Sequence, residues 1–387
     1  MNGHFQFDTV DVKSNDDWPE EGVFTDLPAE AYHDLDGRAS SSIVRKIYNK
    51  TPAHAKAQID DESEPTSAMR FGTQMHMAVL EPERFAERHA VSTQCQAVKG
   101  SGDQCGSAGK VPYRRDDGAV VWFCGRSSHQ PDLAEDADDY PCPYCDVDEG
   151  ETCVTASGNE TSPHAARKKA ARTHETVDGD VVIEEKADVE VLSEDRAEQI
   201  ENMRSRLESH PSARQLLFEL GGLNEVSIVF DYQDDGDLSV PAKARIDRIV
   251  KHPTFGVIGV DYKTTRNAKP GPHEFGRSID RRRYDMQGEF YVHAARTMDI
   301  PVRAFAIVAQ EKEPPYAVSV HVLPMEGYEY IDDNTVADLQ NAEEDVKAAL
   351  RQYLQCAHTG IWPAYADSPV IAEVPAWADA GTRRDDR

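Results

Sequence analysis

The stretch Ala244-Arg245-Ile246-Asp247-Arg248-Ile249, followed by Gly259-Val260-Asp261-Tyr262-Lys263-Thr264, decides how this chain is read. Asp261 stands fourteen residues after Asp247, a hairpin's worth of spacing, and Lys263 follows it in the order Asp-x-Lys. Both acids close runs patterned as buried β-strands. Phe255-Gly256-Val257-Ile258-Gly259-Val260 is nearly continuously apolar, as in a strand covered on both faces. Functional groups sit where such strands emerge. Two carboxylates and an ammonium at adjacent strand ends can seat a hard divalent cation and hydrolyse a phosphodiester. An isolated Asp-x-Lys is more often a solvated strand end, so its surroundings decide.

Working outward, three further motifs stand in order along the chain. Upstream lies Met69-Arg70-Phe71-Gly72-Thr73-Gln74-Met75-His76, followed by Leu80-Glu81-Pro82. Next comes Gly222-Leu223-Asn224-Glu225-Val226-Ser227-Ile228, where a Glu opens a strand. Downstream, Tyr284-Asp285-Met286-Gln287-Gly288-Glu289-Phe290-Tyr291 puts Gln287 and Tyr291 four apart, on one helical face. Each has an ordinary alternative: a structural His, a Glu capping its neighbour, a polar helix edge. In this order, together with the Asp pair, they make the chain resemble the PD-(D/E)xK nuclease superfamily, in particular its exonuclease VIII (RecE) and RecB-like branch. The resemblance runs from Gly22-Val23-Phe24 to Trp362-Pro363, outside a cysteine-rich insertion.

The resemblance implies an α/β restriction-endonuclease-like core, a mixed central β-sheet flanked by helices. It implies catalytic roles for His76, Glu225, Asp247, Asp261, Lys263, Gln287 and Tyr291. Asp247 and Asp261 would hold one or two Mg²⁺ or Mn²⁺ ions, with the Tyr262 carbonyl and His76 as further ligands and Glu225 completing the site. Lys263 would position or help deprotonate the attacking water and neutralise phosphate, while Gln287 and Tyr291 orient the scissile strand. The implied activity is digestion of linear double-stranded DNA, 5′ to 3′, leaving 3′ single strands for a single-strand annealing protein in phage-type recombination or repair. Ring-shaped homo-oligomers occur in related exonucleases. Two other readings stay open: a non-catalytic DNA-end or partner-binding scaffold built on the insertion, and a flap or nick endonuclease with the same site.

Six of the seven cysteines fall between Cys95 and Cys153. Two sets of three thiolates and one imidazole can be drawn from them: Cys95, Cys105, Cys124 and His129, then Cys142, Cys145, Cys153 and His164. Each is the closed donor set of a structural zinc site. The second contains a Cys-x2-Cys knuckle and looks like the small zinc modules of actinobacteriophage proteins. The first resembles knuckles ending in Gly-x-x-Cys-x-x-His, although here the last gap is four residues. Disulfides are the alternative. The N-terminus lacks the basic region and apolar run of a secretory signal, so a reducing cytoplasm in a bacterial, archaeal or phage-infected cell is expected, and metal is favoured. An iron–sulfur cluster would need several C-terminal cysteines, and only Cys356 stands there. The basic run Arg167-Lys168-Lys169 after His164 could contact phosphates.

At 387 residues the chain is long enough for one large α/β domain with an inserted module. The expected organisation is a flexible N-terminus over 1–20, a core over 21–91 and 176–370, a zinc-binding insertion over 92–175 and a polar tail over 371–387. No run of eighteen apolar residues exists to span a membrane. The net charge of −28 opposes nucleic-acid binding at first sight. Acid is concentrated in loop-like runs such as Asp60-Asp61-Glu62 and Asp132 to Asp139, whereas Arg266 and Arg281-Arg282-Arg283 place positive charge where DNA would pass. Hydrophobic periodicity predicts helices within 27–60, over Met69–Leu80 and Ser193–Glu208, from Tyr284, and over Asp332–Gln355. Strands are expected near 225–232, 239–250, 255–263, 302–309 and 317–322.

Overall fold

The computed structural model describes residues 6–372 apart from 8–9, 15–17, 19, 26, 61–65, 98–102, 116–119, 125, 127–141, 143, 149–150, 156, 165–166, 168–175, 179–180, 187–188, 235 and 325–332. In chain order the elements are β1 (Gly22–Phe24), α1 (Ala29–His33), α2 (Ser41–Asn49), α3 (Pro52–Ile59), α4 (Ser67–Leu80), α5 (Pro82–Arg88), β2 (His89–Val91), β3 (Val111–Arg115), β4 (Val120–Phe123), β5 (Thr176–Asp178), β6 (Val181–Lys186) and β7 (Glu190–Leu192). Then come α6 (Glu194–Ser209), α7 (Pro211–Arg214), a π-helical turn (Gln215–Glu219), β8 (Gly222–Gln233), β9 (Ser239–His252), β10 (Gly256–Thr265), α8 (Phe275–Arg282), α9 (Tyr284–Thr297), β11 (Val302–Glu311), β12 (Val318–Pro324) and α10 (Asp333–Thr359). The chain divides into two compact units, Met1–Ser67 with His210–Arg387, and Ala68–Ser209.

The first unit is built on a six-stranded sheet of order β1-β8-β9-β10-β11-β12. Only β10 and β11 run parallel, joined by a crossover through α8 and α9; the other pairs are antiparallel. This is the mixed sheet flanked by helices that the PD-(D/E)xK resemblance implies. α9 lies against it through Met286, Phe290, Val292, Ala294 and Ala295, all buried. Gly288 and the two alanines keep the helix close to the strands, and Phe290 meets Phe230 edge-on at 5.7 Å. Each fully buried Phe contributes about 1.5–3 kcal/mol. α2 buries Ile43, Val44 and Ile47 against α9 and α10. Ser40 takes the N-cap position of α2, yet its hydroxyl bonds Ser42 and makes no side-chain cap bond. Gly222 opens β8 where a Cβ would lie 2.1 Å from the Ile249 carbonyl oxygen, so only glycine lets β9 approach.

The second unit holds the cysteine-rich stretch. α4 buries Phe71, Met75, Ala78, Val79 and Leu80, and Arg196 of α6 lies 4.3 Å above the Phe71 ring. β2 and β7 pair in parallel, and their Glu190 receives the Gln74 amide at 2.8 Å and faces His89 at 3.3 Å. A four-stranded antiparallel sheet, order β4-β3-β6-β5, adjoins the first cysteine group. Among the described residues, no helix is long and apolar enough to cross a membrane.

Candidate active site and zinc centres

The ladder of the large sheet places the acids. β8 and β9 pair Asn224↔Arg248 and Val226↔Ile246, so Glu225 and Asp247 stand opposite one another. Glu225 has φ 46, a left-handed conformation that costs an L-residue on the order of 1–3 kcal/mol and persists where the surroundings impose it. Its effect is legible in the core. Leu223 and Val226 on β8, and Ile246 and Ile249 on β9, all pack in one cluster although three-residue spacing in a regular strand would send them to opposite faces. Both strands therefore kink at the acids, whose carboxylate oxygens come within 4.8 Å of each other.

Asp261 follows one residue after the last β9–β10 pair, Val260↔Arg248. There the Asp247 carboxylate replaces the ladder, accepting the Tyr262 N–H at 2.8 Å. Asp261 is 1% exposed. Its Oδ2 lies 2.6 Å from the Lys263 ammonium and its Oδ1 accepts from Gln287 Nε2 at 2.7 Å. The Gln287 Oε1 is buried without a hydrogen-bond partner. Tyr291, one turn on, bonds the Ser41 hydroxyl. Tyr262 turns its own ring away, donating its hydroxyl to Gln310 at 2.6 Å. Arg245 Nε donates to Glu225 Oε2 at 2.8 Å and its Nη1 to the Leu27 carbonyl at 3.0 Å. Arg248 points elsewhere and holds the carbonyls of Leu216 and Leu220 and the Asn224 amide, fastening the π-turn to the strands.

Glu225, Asp247, Asp261, Lys263, Gln287 and Tyr291 all line one cavity of about 600 Å³, with Ser41, Arg45, Arg38 and Arg245 on other walls. Burial, and then the neighbouring Asp261 charge, pushes the Asp247 carboxyl up to about 7. Burial alone would lower Lys263, but the charges of Asp261 and Asp247 outweigh it and hold the ammonium raised. Three carboxylates lining one cavity with Lys263 and Arg245, one of them costly to ionise, offer hard oxygen donors that suit a divalent metal. His76 stands on α4, in the second unit, with its ring half-buried.

Of the basic residues expected to meet DNA, Arg266, Arg281 and Arg282 are exposed. Arg283 is not available: it takes φ 50 at the α8–α9 junction, its guanidinium is buried between Asp285 at 2.9 Å and Asp345 at 2.7 Å, and it lies 4.3 Å above the Tyr48 ring. Arg167 differs likewise. It is fully buried and donates to the Glu151 and Asp148 carbonyls and to the Cys153 sulfur, so it braces the cysteine loop where a phosphate contact was expected. Lys168 and Lys169 lie outside the described residues.

No disulfide joins the seven cysteines. The donor atoms of Cys142, Cys145, Cys153 and His164 lie within 4.8 Å of one another, as do those of Cys95, Cys105 and Cys124. Zn–S bonds of 2.3 Å place tetrahedral ligands roughly 3.8 Å apart. Cys105 and Cys124 sulfurs are 3.8 Å apart, and Cys142 Sγ is 3.6 Å from His164 Nδ1. Both sets fit zinc. Hydrogen bonds from Ser107 lower the Cys105 thiol to about 6, toward the ligating thiolate. His129, the expected fourth donor of the first set, lies outside the described residues.

The sequence reading missed Arg245, Arg248 and Ser41. Arg245 and Arg248 flank Asp247 in the deciding stretch, and only the pairing of β8 with β9 shows what each holds.

Residues 166–370 match the family described as "PDDEXK-like domain of unknown function (DUF3799)", a span that contains Glu225, Asp247, Asp261, Lys263, Gln287 and Tyr291. Residues 127–180, which include the Cys142 to His164 donor set, match one described as "Putative DNA-binding phage zinc finger domain". No curated protein matches the chain. Among solved structures, one described as a "Putative exonuclease" from Eubacterium rectale is similar at 12% identity over 92% of this chain and 98% of that one, with a TM-score of 0.44. The structure of SSO0001 is similar at 17% identity over 39% of this chain and 67% of that one, with a TM-score of 0.22. The family match spans more than half of the chain, which therefore belongs to the PDDEXK-like domain family.

Proposed function

We propose that the chain is a metal-dependent deoxyribonuclease, an exonuclease of the exonuclease VIII type acting on linear double-stranded DNA. The observation that carries this is the meeting of Glu225, Asp247 and Asp261, from three neighbouring strands, in one cavity with the Lys263 ammonium, at a kink of the sheet. Glu225, Asp247 and Asp261 would hold Mg²⁺ or Mn²⁺, with the Tyr262 carbonyl as a further ligand; the sequence motif assigns His76 to the same work. A metal there supplies an acidified water and neutralises phosphate charge. The chain's own groups do the remainder. Lys263, kept protonated by its two acids, orients water and meets the phosphate as a donor. Gln287 holds one oxygen of Asp261, fixing the other on Lys263. Tyr291, anchored on Ser41, borders the path of the strand.

The 5′ to 3′ polarity, the 3′ single-stranded product, its transfer to an annealing protein in phage-type recombination, ring assembly and a cytoplasmic setting come from the RecE-like motifs. The insertion, taken as 92–175 between core segments 21–91 and 176–370, would bind two zinc ions and add a DNA contact. Incubation with linear and circular duplex in Mg²⁺ tests the proposal. Loss of the linear form alone supports it, cutting of both favours an endonuclease, and binding without cutting favours a scaffold.

A further inference from the structure

Two of the exposed basic side chains expected from sequence, Arg281 and Arg282, lie at the end of α8, and the structure brings a second helix beside it. α2 begins in the cavity, where Ser41 and Arg45 line the wall, and its nine residues carry no acid. At 1.5 Å per residue it leads about 13 Å away from the metal site. Along the way it is fastened to the end of α8: Arg45 Nη1 donates to the Arg282 carbonyl at 3.0 Å and the Asn49 amide to the Arg281 carbonyl at 3.4 Å. Both contacts use backbone oxygens, which leaves the Arg281 and Arg282 side chains exposed beside Lys50, also exposed, and half-buried Lys46.

These four cations have no carboxylate partner among the described residues. That is notable where acids outnumber Lys and Arg 70 to 42, and where Lys56, Arg245, Lys263, Arg283, Lys347 and Arg351 in the same unit are all ion-paired. Clustered like charges repel one another, and a polyanion relieves this with release of its counterions. Resting on the nuclease reading, we propose that α2 and the end of α8 form the track that carries the backbone of duplex DNA to the active site, with Lys46, Lys50, Arg281 and Arg282 on successive phosphates.

The test is duplex binding by fluorescence anisotropy across a salt series, in the full chain made non-cleaving by Asp261→Asn. Lys46→Ala with Lys50→Ala, and Arg281→Ala with Arg282→Ala, should each flatten the slope of log K against log salt by about two and weaken binding about tenfold or more. A control that removes two paired cations, Lys56→Ala with Arg204→Ala, should leave the slope in place. Unchanged slopes in both track variants, or an equal fall in the control, overturn the proposal. If the slopes fall as expected but the unsubstituted chain leaves linear duplex uncut in Mg²⁺, the nuclease reading fails and the track stands.

Discussion

Replacing Asp247 by Asn should stabilise the protein while removing its activity, because the folded state strains to ionise this carboxyl. Its value is pushed up to about 7, against an ordinary aspartate value of about 3.9. Between those two pH values the folded chain keeps a proton that the unfolded chain has lost, so stability falls as pH rises through the window and the full cost is present above about 7. Lys263 adds no slope there, since its ammonium is protonated in both states throughout. At about 1.36 kcal/mol per pH unit the interval is worth about 4 kcal/mol. Asp247 retains partial solvent contact, which screens the penalty to about 1–2 kcal/mol. At about 2–4 °C per kcal/mol, the Asp247→Asn substitution should raise Tm by about 3–6 °C at pH 8 in buffer lacking Mg²⁺ and Mn²⁺, by about a third of that at pH 5, and by close to nothing below about pH 4. The amide oxygen it introduces can still accept the Tyr262 N–H, so geometry is preserved. Thermal unfolding of both proteins across pH is the assay, followed by cleavage in Mg²⁺, which the variant should lose. Parallel Tm curves, or a variant less stable at pH 8, would refute the argument.

Lys263→Ala should reduce cleavage by about 10²–10³ and cost about 3 kcal/mol in stability, because it strands a carboxylate that is 1% exposed. Adding Asp261→Asn should restore the stability and not the cleavage, as read by denaturant unfolding and a nuclease assay. Elemental analysis should find two zinc ions per chain, and one after Cys142→Ser with Cys145→Ser; an unchanged content contradicts the second site. Arg167→Ala should speed zinc loss to a chromogenic chelator while leaving the salt dependence of DNA binding unaltered, the reverse of what a phosphate contact would do.

Much of the core was legible because period-two and period-3.6 patterns survive burial: β9, β10, β11, α9 and α10 fall within a few residues of where hydrophobicity places them. The cavity residues were legible for another reason. Several carboxylates and a lysine at fixed spacing leave a sequence trace, and these residues meet in one cavity. What could not be read depends on who meets whom. β1 pairs with β8 some two hundred residues away, and nothing local marks it as an edge strand. The left-handed Glu225 is imposed by its neighbours, since Glu has no preference for that conformation. Arg167 and Arg283 looked like surface cations because a run of basic residues usually is one; each instead finds buried carbonyls or carboxylates that no single-chain pattern announces.

The central claim is that the three acids at the sheet's kink seat a hard cation for cleaving DNA. Anomalous diffraction from crystals soaked in Mn²⁺ tests it most directly. The account predicts a peak bounded by Glu225, Asp247 and Asp261, within reach of Lys263 and lost in the Asp247→Asn protein. A protein that degrades linear duplex while its manganese binds elsewhere, or nowhere, would contradict it.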